Sequence, residues 1–351
     1  MNNLFYIEIY VGMGKVVSWW HQFALGFQLR GKRIQVGKFG KEITYWLSAG
    51  NVNLLVTSAL DSGAHDVILF FNKHGIGLKK IAIEVDNLDE TINKLSDLKV
   101  VAVNKNVKIE NDNFIESRSY SVKLFDDNEI VFIERRGIVD NFLPNFELIM
   151  DEPTFEVNNQ LQSIDHFAAA MRVNESLFWG DYICKILNLK NVQKLGEEYF
   201  SGMKTGMSMN VYSSEQNSFD FVIVEPLIVK ESNSQVDTFL ENHLGNGIQH
   251  IAFTVIDLVS LVSKLKKKGV SFVKIPSSYY DELAVDFPEL PIEILRENNI
   301  LCESEGNQLL LQIFTEPIGD RSTLFYEFIE RINDYKGFGL TNIKNLFKSL
   351  E

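Results

Sequence analysis

An α+β fold made of two similar halves is the class that this sequence predicts. Two observations carry it. Short segments recur in the same order in the two halves of the 351 residues. Each recurring segment alternates apolar and polar residues over a strand length and then changes to helical spacing. A chain with 45% hydrophobic and 23% charged residues has the composition of a globular protein. At roughly 100–200 residues per domain, its length suggests two domains.

The first half opens on Ile7-Glu8-Ile9-Tyr10-Val11, a strand pattern, before a helix near Trp19 and Trp20. Gly77-Leu78-Lys79-Lys80-Ile81-Ala82-Ile83-Glu84-Val85 reads as the next strand, followed by a helix from Leu88 to Leu95. The half closes on Phe132-Ile133-Glu134-Arg135. The second half repeats the series. Ile164-Asp165-His166-Phe167-Ala168 precedes a helix near Phe178 and Trp179, and Gly247-Ile248-Gln249-His250-Ile251-Ala252-Phe253 echoes the Gly77 strand. The helix after it places Leu258, Leu261, Val262 and Leu265 on one face. It stops at Lys266, Lys267, Lys268 and Gly269, cations in the last turn and glycine beyond it. Phe328-Ile329-Glu330-Arg331 closes this half. Each half therefore reads as two β-α-β-β units. Val139 to Ser163 lacks the pattern and carries Pro144 and Pro153, so it reads as the connection. The expected division is a first domain over 1–145, a linker over 146–160 and a second domain over 161–351.

Charge narrows the possible partners. Lys plus Arg number 34 and Asp plus Glu 47, a net charge of −13, which repels phosphate backbones and argues against a nucleic-acid partner. Two cysteines, Cys184 and Cys302, cannot build a disulfide framework and suit a reducing cytoplasm. Met1 to Lys15 has no signal-peptide pattern, and no apolar run of about 18 residues predicts a membrane span.

Matching the halves points to chemistry in the second. His166 is set against Glu8, His250 against Lys80 and Glu327 against Val131. Two imidazoles and a carboxylate suit Fe(II) and leave coordination positions open. An ammonium has no lone pair to give, so the first half reads as structural and metal-free. On spacing alone, the alternative that both histidines are ordinary core residues stays open. His21, His65, His74 and His243 fall in helical or loop stretches and read as solvated. No Cys-x-x-Cys, phosphate-binding loop or Gly-x-Ser-x-Gly elbow is present.

Longer motifs carry a resemblance. The Gly247 strand, Leu309-Leu310-Leu311-Gln312-Ile313-Phe314-Thr315, Asp320-Arg321-Ser322-Thr323-Leu324-Phe325-Tyr326-Glu327 and Gly337-Phe338-Gly339-Leu340-Thr341-Asn342-Ile343-Lys344 together resemble the 4-hydroxyphenylpyruvate dioxygenase family. The resemblance covers nearly the whole chain. It implies two vicinal-oxygen-chelate domains, each a curved, open-barrel mixed sheet from paired βαβββ modules, plus a C-terminal helix. It also implies Fe(II) in the second domain, with His166, His250 and Glu327 on the family's ligand positions. A 2-oxo acid and O2 are the implied small-molecule partners. Gln312 and Gln249 match positions beside the substrate or iron, and Phe314, Phe325 and Phe338 are expected to wall the ring. Asn342 to Leu350 is expected to form a lid, with Gly337 and Gly339 as either a hinge or a turn. A homodimer or homotetramer would be usual for the family.

Several positions resemble the 4-hydroxymandelate synthase branch rather than the homogentisate-forming one. These are Val224 in Val224-Glu225-Pro226, Asp237 where the other branch has a substrate-side Gln, Ile343 after Asn342, and Glu330. Met209 stands where both branches usually have Ser, and a one-residue slip would bring in Ser208. The aliphatic Ile343 leaves the substrate ring room to turn its benzylic carbon toward the iron. The resemblance thus implies oxidative decarboxylation of 4-hydroxyphenylpyruvate followed by benzylic hydroxylation. The alternatives are homogentisate formation, another 2-oxo acid such as phenylpyruvate, or a non-catalytic binding module that kept the fold.

Overall fold

The computed structural model describes residues 3–343 apart from 38–39, 138–141, 151–154, 157, 197, 199–205, 216–217, 228–233 and 341. Its first half runs β1 (Asn3–Tyr10), α1 (Gly14–Phe23), β2 (Gln28–Val36), β3 (Lys41–Ala49) and β4 (Val52–Ala59). After α2 (His65–His74) come β5 (Gly77–Glu84), α3 (Leu88–Asp97), β6 (Lys108–Asn111), β7 (Ile115–Leu124) and β8 (Asn128–Gly137). Each unit is thus βαβββ, one strand longer than the residue pattern suggests. A short β9 (Glu147–Leu148) falls inside the stretch read as a linker and pairs with β2.

The second half repeats the order with β10 (Leu161–Ala170), α4 (Ser176–Leu187), β11 (Lys190–Leu195), β12 (Met207–Ser213) and β13 (Asp220–Pro226). After α5 (Gln235–His243) come β14 (Gly247–Val255), α6 (Leu258–Lys267), α7 (Ser277–Asp286) and α8 (Ile292–Asn298). The half ends on β15 (Leu301–Glu305), β16 (Gln308–Phe314) and β17 (Phe325–Ile332). Helices α7 and α8 are an insertion that the internal repeat does not announce.

The strand orders are β6-β7-β8-β5-β1-β4-β3-β2-β9 and β11-β12-β13-β10-β14-β17-β16-β15. In both sheets the two central strands are antiparallel, and each has an outer parallel neighbour: β1 with β4, β5 with β8, β10 with β13, β14 with β17. The first sheet curls until its edges meet, since Gln35 on β2 donates to Glu110 on β6 at 2.7 Å.

Strand alternation sorts side chains between two faces. Ile7 and Ile9 enter a core shared with Phe167, Ala169 and Phe253 of the second half. Tyr6, Glu8 and Tyr10 face a cavity on the concave side. The repeated Phe-Ile-Glu-Arg has a local cause. Glu134 accepts the Leu88 backbone N–H at 3.0 Å and Glu330 accepts that of Leu258 at 2.8 Å, so each carboxylate satisfies the start of its module's helix.

Three histidines expected in solvent are buried instead. His21 Nε2 meets the Tyr326 hydroxyl at 2.7 Å across the halves, and the His74 ring lies 4.1 Å from that of His243. Among the described residues, no helix is long and apolar enough to cross a membrane.

Candidate metal centre

His166, His250 and Glu327 stand on the neighbouring strands β10, β14 and β17. In register, His166 pairs with Ala252 and Ala252 with Glu327, and His250 lies two residues before Ala252 on the same face. The methyl of Ala252 leaves space between them. Glu327 Oε2 is 3.2 Å from His166 Nε2 and 3.2 Å from His250 Nε2, and the three donor atoms lie within 4.8 Å of one another. Oε2 is buried and has no aligned hydrogen bond. Cis ligands about 2.1 Å from one ion stand about 3 Å apart, so this donor set fits a divalent first-row cation.

Electrostatics describe the triad without a cation. Burial disfavours charge on His166, yet the hydrogen bond to Asp165 and the Glu327 carboxylate beside it outweigh burial and raise its pKa to about 9. Burial would likewise raise Glu327, but the two imidazoles hold it at about 2. His250 is lowered by burial. A metal that takes the His166 lone pair must displace a proton, which couples metal uptake to pH.

The supporting contacts are specific. Gln312 on β16 donates from Nε2 to Glu327 Oε1 at 2.8 Å and accepts from Asn342 Nδ2 at 2.9 Å. Asn342 in turn accepts from the Tyr279 hydroxyl at 2.8 Å. Gly339 is required where it stands, because its φ is +71° and a Cβ there would collide with the Gln312 amide. His250 stacks on Phe325 at 4.9 Å, and Phe338 sets an edge against His166 at 5.7 Å.

A cavity of about 290 Å³ opens onto the triad. Met209 and Val224 line it from β12 and β13, and Gln249, Phe314 and Phe325 line it from β14, β16 and β17. Phe338, Asn342 and Ile343 reach it from the C-terminal segment. Met209 itself faces the cavity, so no slip to Ser208 is needed. The lid expected over 342–350 lies outside the described residues beyond Ile343.

Two expectations are corrected. Asp237 does not line the cavity. It is the third helical residue of α5 and closes a capping box, accepting from the Ser234 N–H and hydroxyl at 2.8 Å each. The residues of α5 that do face the cavity are Gln235, Thr238 and Phe239. Ser234-x-x-Asp237 is legible as a capping box, and helical spacing from Gln235 would have found the other two. Period two along β12 and β13 would similarly have added Met207 and Val222.

The second correction concerns the first half. Tyr6 pairs with Ala82 and Ala82 with Val131, the register that His166, Ala252 and Glu327 share. The counterpart of His166 is therefore Tyr6, not Glu8. Bulges within β1–β5 and β10–β14 shift any count made on residues alone. Glu8 binds Lys80 at 2.7 Å and accepts from Thr57 at 2.7 Å. Lys80 does occupy the His250 place, and among the described residues of this half no three histidine, cysteine or carboxylate side chains converge as a metal site would need.

Comparison with known proteins agrees with this architecture. Residues 164–298 match the Glyoxalase/Bleomycin resistance protein/Dioxygenase superfamily. The chain is 26% identical to 4-hydroxyphenylpyruvate dioxygenase of Danio rerio, covering 99% of this chain and 90% of that protein. It is 27% identical to the enzyme of that name from Yarrowia lipolytica, with coverage of 99% and 90%. A triple mutant of 4-hydroxymandelate synthase from Streptomyces coelicolor superposes with a TM-score of 0.85 at 25% identity, covering 100% of this chain and 98% of that one. The chain thus has the vicinal-oxygen-chelate fold and is similar over nearly its whole length to 4-hydroxyphenylpyruvate dioxygenases.

Proposed function

We propose that the protein is an Fe(II)-dependent dioxygenase that converts 4-hydroxyphenylpyruvate and O2 to 4-hydroxymandelate and CO2. The observation that carries this reading is the convergence of His166, His250 and Glu327 at a largely apolar cavity lined by Val224 and Ile343. His166, His250 and Glu327 would hold the metal, which when bound would activate O2 and accept the 2-oxo acid as a chelating ligand. Gln312 fixes the Glu327 carboxylate through Oε1 and leaves Oε2 turned to the metal position. Phe314, Phe325 and Phe338 exclude water and wall the substrate ring. Gln249 supplies a buried amide at the cavity. The aliphatic Ile343 leaves the ring free to present its benzylic carbon. The division into a structural first domain and a catalytic second one belongs to the same proposal.

Purified protein supplied with Fe(II), ascorbate, O2 and 4-hydroxyphenylpyruvate should yield 4-hydroxymandelate by mass spectrometry. Homogentisate as the sole product would replace this reading with that of the relatives named as dioxygenases. A second reading, in which the acid lacks the phenol, is favoured by one contact pattern. Both polar ends of Gln312 are engaged within the protein, and Met209 and Val224 are apolar. Turnover of phenylpyruvate in preference to 4-hydroxyphenylpyruvate in a competition assay would establish it.

A further inference from the structure

The two halves satisfy the same arginine in different ways, and the difference falls beside a proposed metal ligand. Arg135 and Arg331 end the repeated Phe-Ile-Glu-Arg. In the first half, Arg135 donates to Glu84 Oε1 at 2.7 Å and to the Phe142 carbonyl at 3.1 Å, with its guanidinium 4.1 Å from the Phe5 ring. In the second, Arg331 donates to both carboxylate oxygens of Asp165 at 2.8 and 2.9 Å and to the Gly337 carbonyl at 2.6 Å. Register makes Phe5 the counterpart of Asp165, one residue before Tyr6 and His166. It also makes Glu84 the counterpart of Thr254, opposite Ile133 and Ile329. The carboxylate has changed strands between the halves.

An arginine that needs only a partner is served equally well from either strand. Only from Asp165 does the carboxylate also reach the histidine, where Nδ1–H donates to Oδ1 at 2.9 Å. That bond fixes the proton on Nδ1 and turns Nε2 toward the position it shares with Glu327, where it presents a lone pair once its own proton is displaced. His250 has no such support. Its Nδ1 is buried without a hydrogen-bond partner, and ring stacking holds it instead. Arg331 is itself fixed at its far end by the Gly337 carbonyl and lies 5.2 Å from the Phe338 ring, whose edge meets His166. The guanidinium therefore locks the carboxylate that orients the ligand.

We propose that Asp165 and Arg331 are positioning residues that hold His166 in its metal-binding tautomer and orientation. The proposal rests on reading His166, His250 and Glu327 as a metal site. The test transplants the first-half arrangement by the pair Asp165→Phe and Thr254→Glu, which keeps a carboxylate for Arg331 and removes the one on His166. Co(II) alone is titrated into metal-free protein, with affinity read by chelator competition and geometry by the d–d absorption bands. The swapped protein should fold, with a melting curve like that of the parent, and should bind Co(II) about 10- to 100-fold more weakly with an altered spectrum. A folded swap variant with the parent's affinity and spectrum overturns the proposal. Should the swap not fold, Asp165→Ala with Arg331→Met removes both charges together, and parent-like affinity there overturns it equally. A parent that binds no Co(II) removes the metal reading and this inference with it. A parent that binds well beside an equally tight variant removes this inference alone.

Discussion

Tyr279→Phe tests whether the tie between the C-terminal segment and the metal centre is structural in fact. Tyr279 on α7 is buried, and its hydroxyl joins two elements distant in sequence. It accepts from the Cys302 N–H at 2.9 Å and shares its own proton between the Cys302 carbonyl at 3.0 Å and Asn342 Oδ1 at 2.8 Å. Phenylalanine keeps the ring and removes all three contacts. An orphaned buried N–H costs about 1–3 kcal/mol, and the lost donor bond about 0.5–1.5 kcal/mol more. The expected loss is therefore about 2–4 kcal/mol in urea unfolding, seen as a lower midpoint at unchanged slope. Metal affinity should fall much less, because the Gln312 bond to Glu327 survives the substitution. A loss under about 0.5 kcal/mol would refute the reasoning, since it would mean that water replaces the hydroxyl and the region is not dry.

Three further outcomes are expected. His250→Ala should abolish Fe(II) retention after desalting, and iron content equal to that of the parent would show the ligand assignment to be wrong. Ile343→Phe narrows the cavity on the substrate ring and should move the product ratio toward homogentisate by about tenfold or more, whereas an unchanged ratio counts against the steric argument. Burial lowers His21 to about 4 against an ordinary value of 6.5, outweighing its bond to the Val17 carbonyl. Between those values the unfolded chain holds the proton and the folded chain does not, so stability should fall by up to about 3 kcal/mol as pH drops from 6.5 to 4. His21→Phe should flatten that dependence, and a variant with the parent's acid sensitivity would place the titration elsewhere.

The sequence shows the duplication because local physics preserves it. Glu134 and Glu330 recur since each satisfies the start of a helix, and Gly77 and Gly247 recur at the beginning of matching strands. The three proposed ligands are legible because a lone pair is needed where the first half has Lys80 and Val131. Register across a bulge is not legible, which is why Tyr6 was hidden behind Glu8. The polar character of Asp237 was visible, but its carboxylate is turned to a helix end that residue type alone does not reveal. Burial of His21, His74 and His243 depends on contacts between the halves, which no local pattern encodes.

The comparison of halves also separates what the fold supplies from what the site adds. In both halves aromatic residues beyond the last long strand pack on the concave face of the sheet. Phe142 stacks on Trp46 at 4.2 Å with its carbonyl held by Arg135, and Phe338 covers His166 with the Gly337 carbonyl held by Arg331. This packing is therefore common to both halves and needs no catalytic explanation. The additions are two polar ties to the proposed ligands. Asp165 stands where the first half has Phe5, and Gln312, opposite Ile329, stands where the first half has Ser119, opposite Ile133. A serine at that place is too short to span from the Glu327 carboxylate to Asn342. The first half's larger cavity, about 620 Å³, is lined by largely buried ion pairs such as Glu8–Lys80 and Lys79–Glu129, whose charges offset each other. Placing His at Lys80 would remove the ammonium that neutralises Glu8 and still leave Val131 with no donor atom. The metal site proposed for the second half thus rests on at least five positions acting together, three that would present lone pairs and two that would aim them.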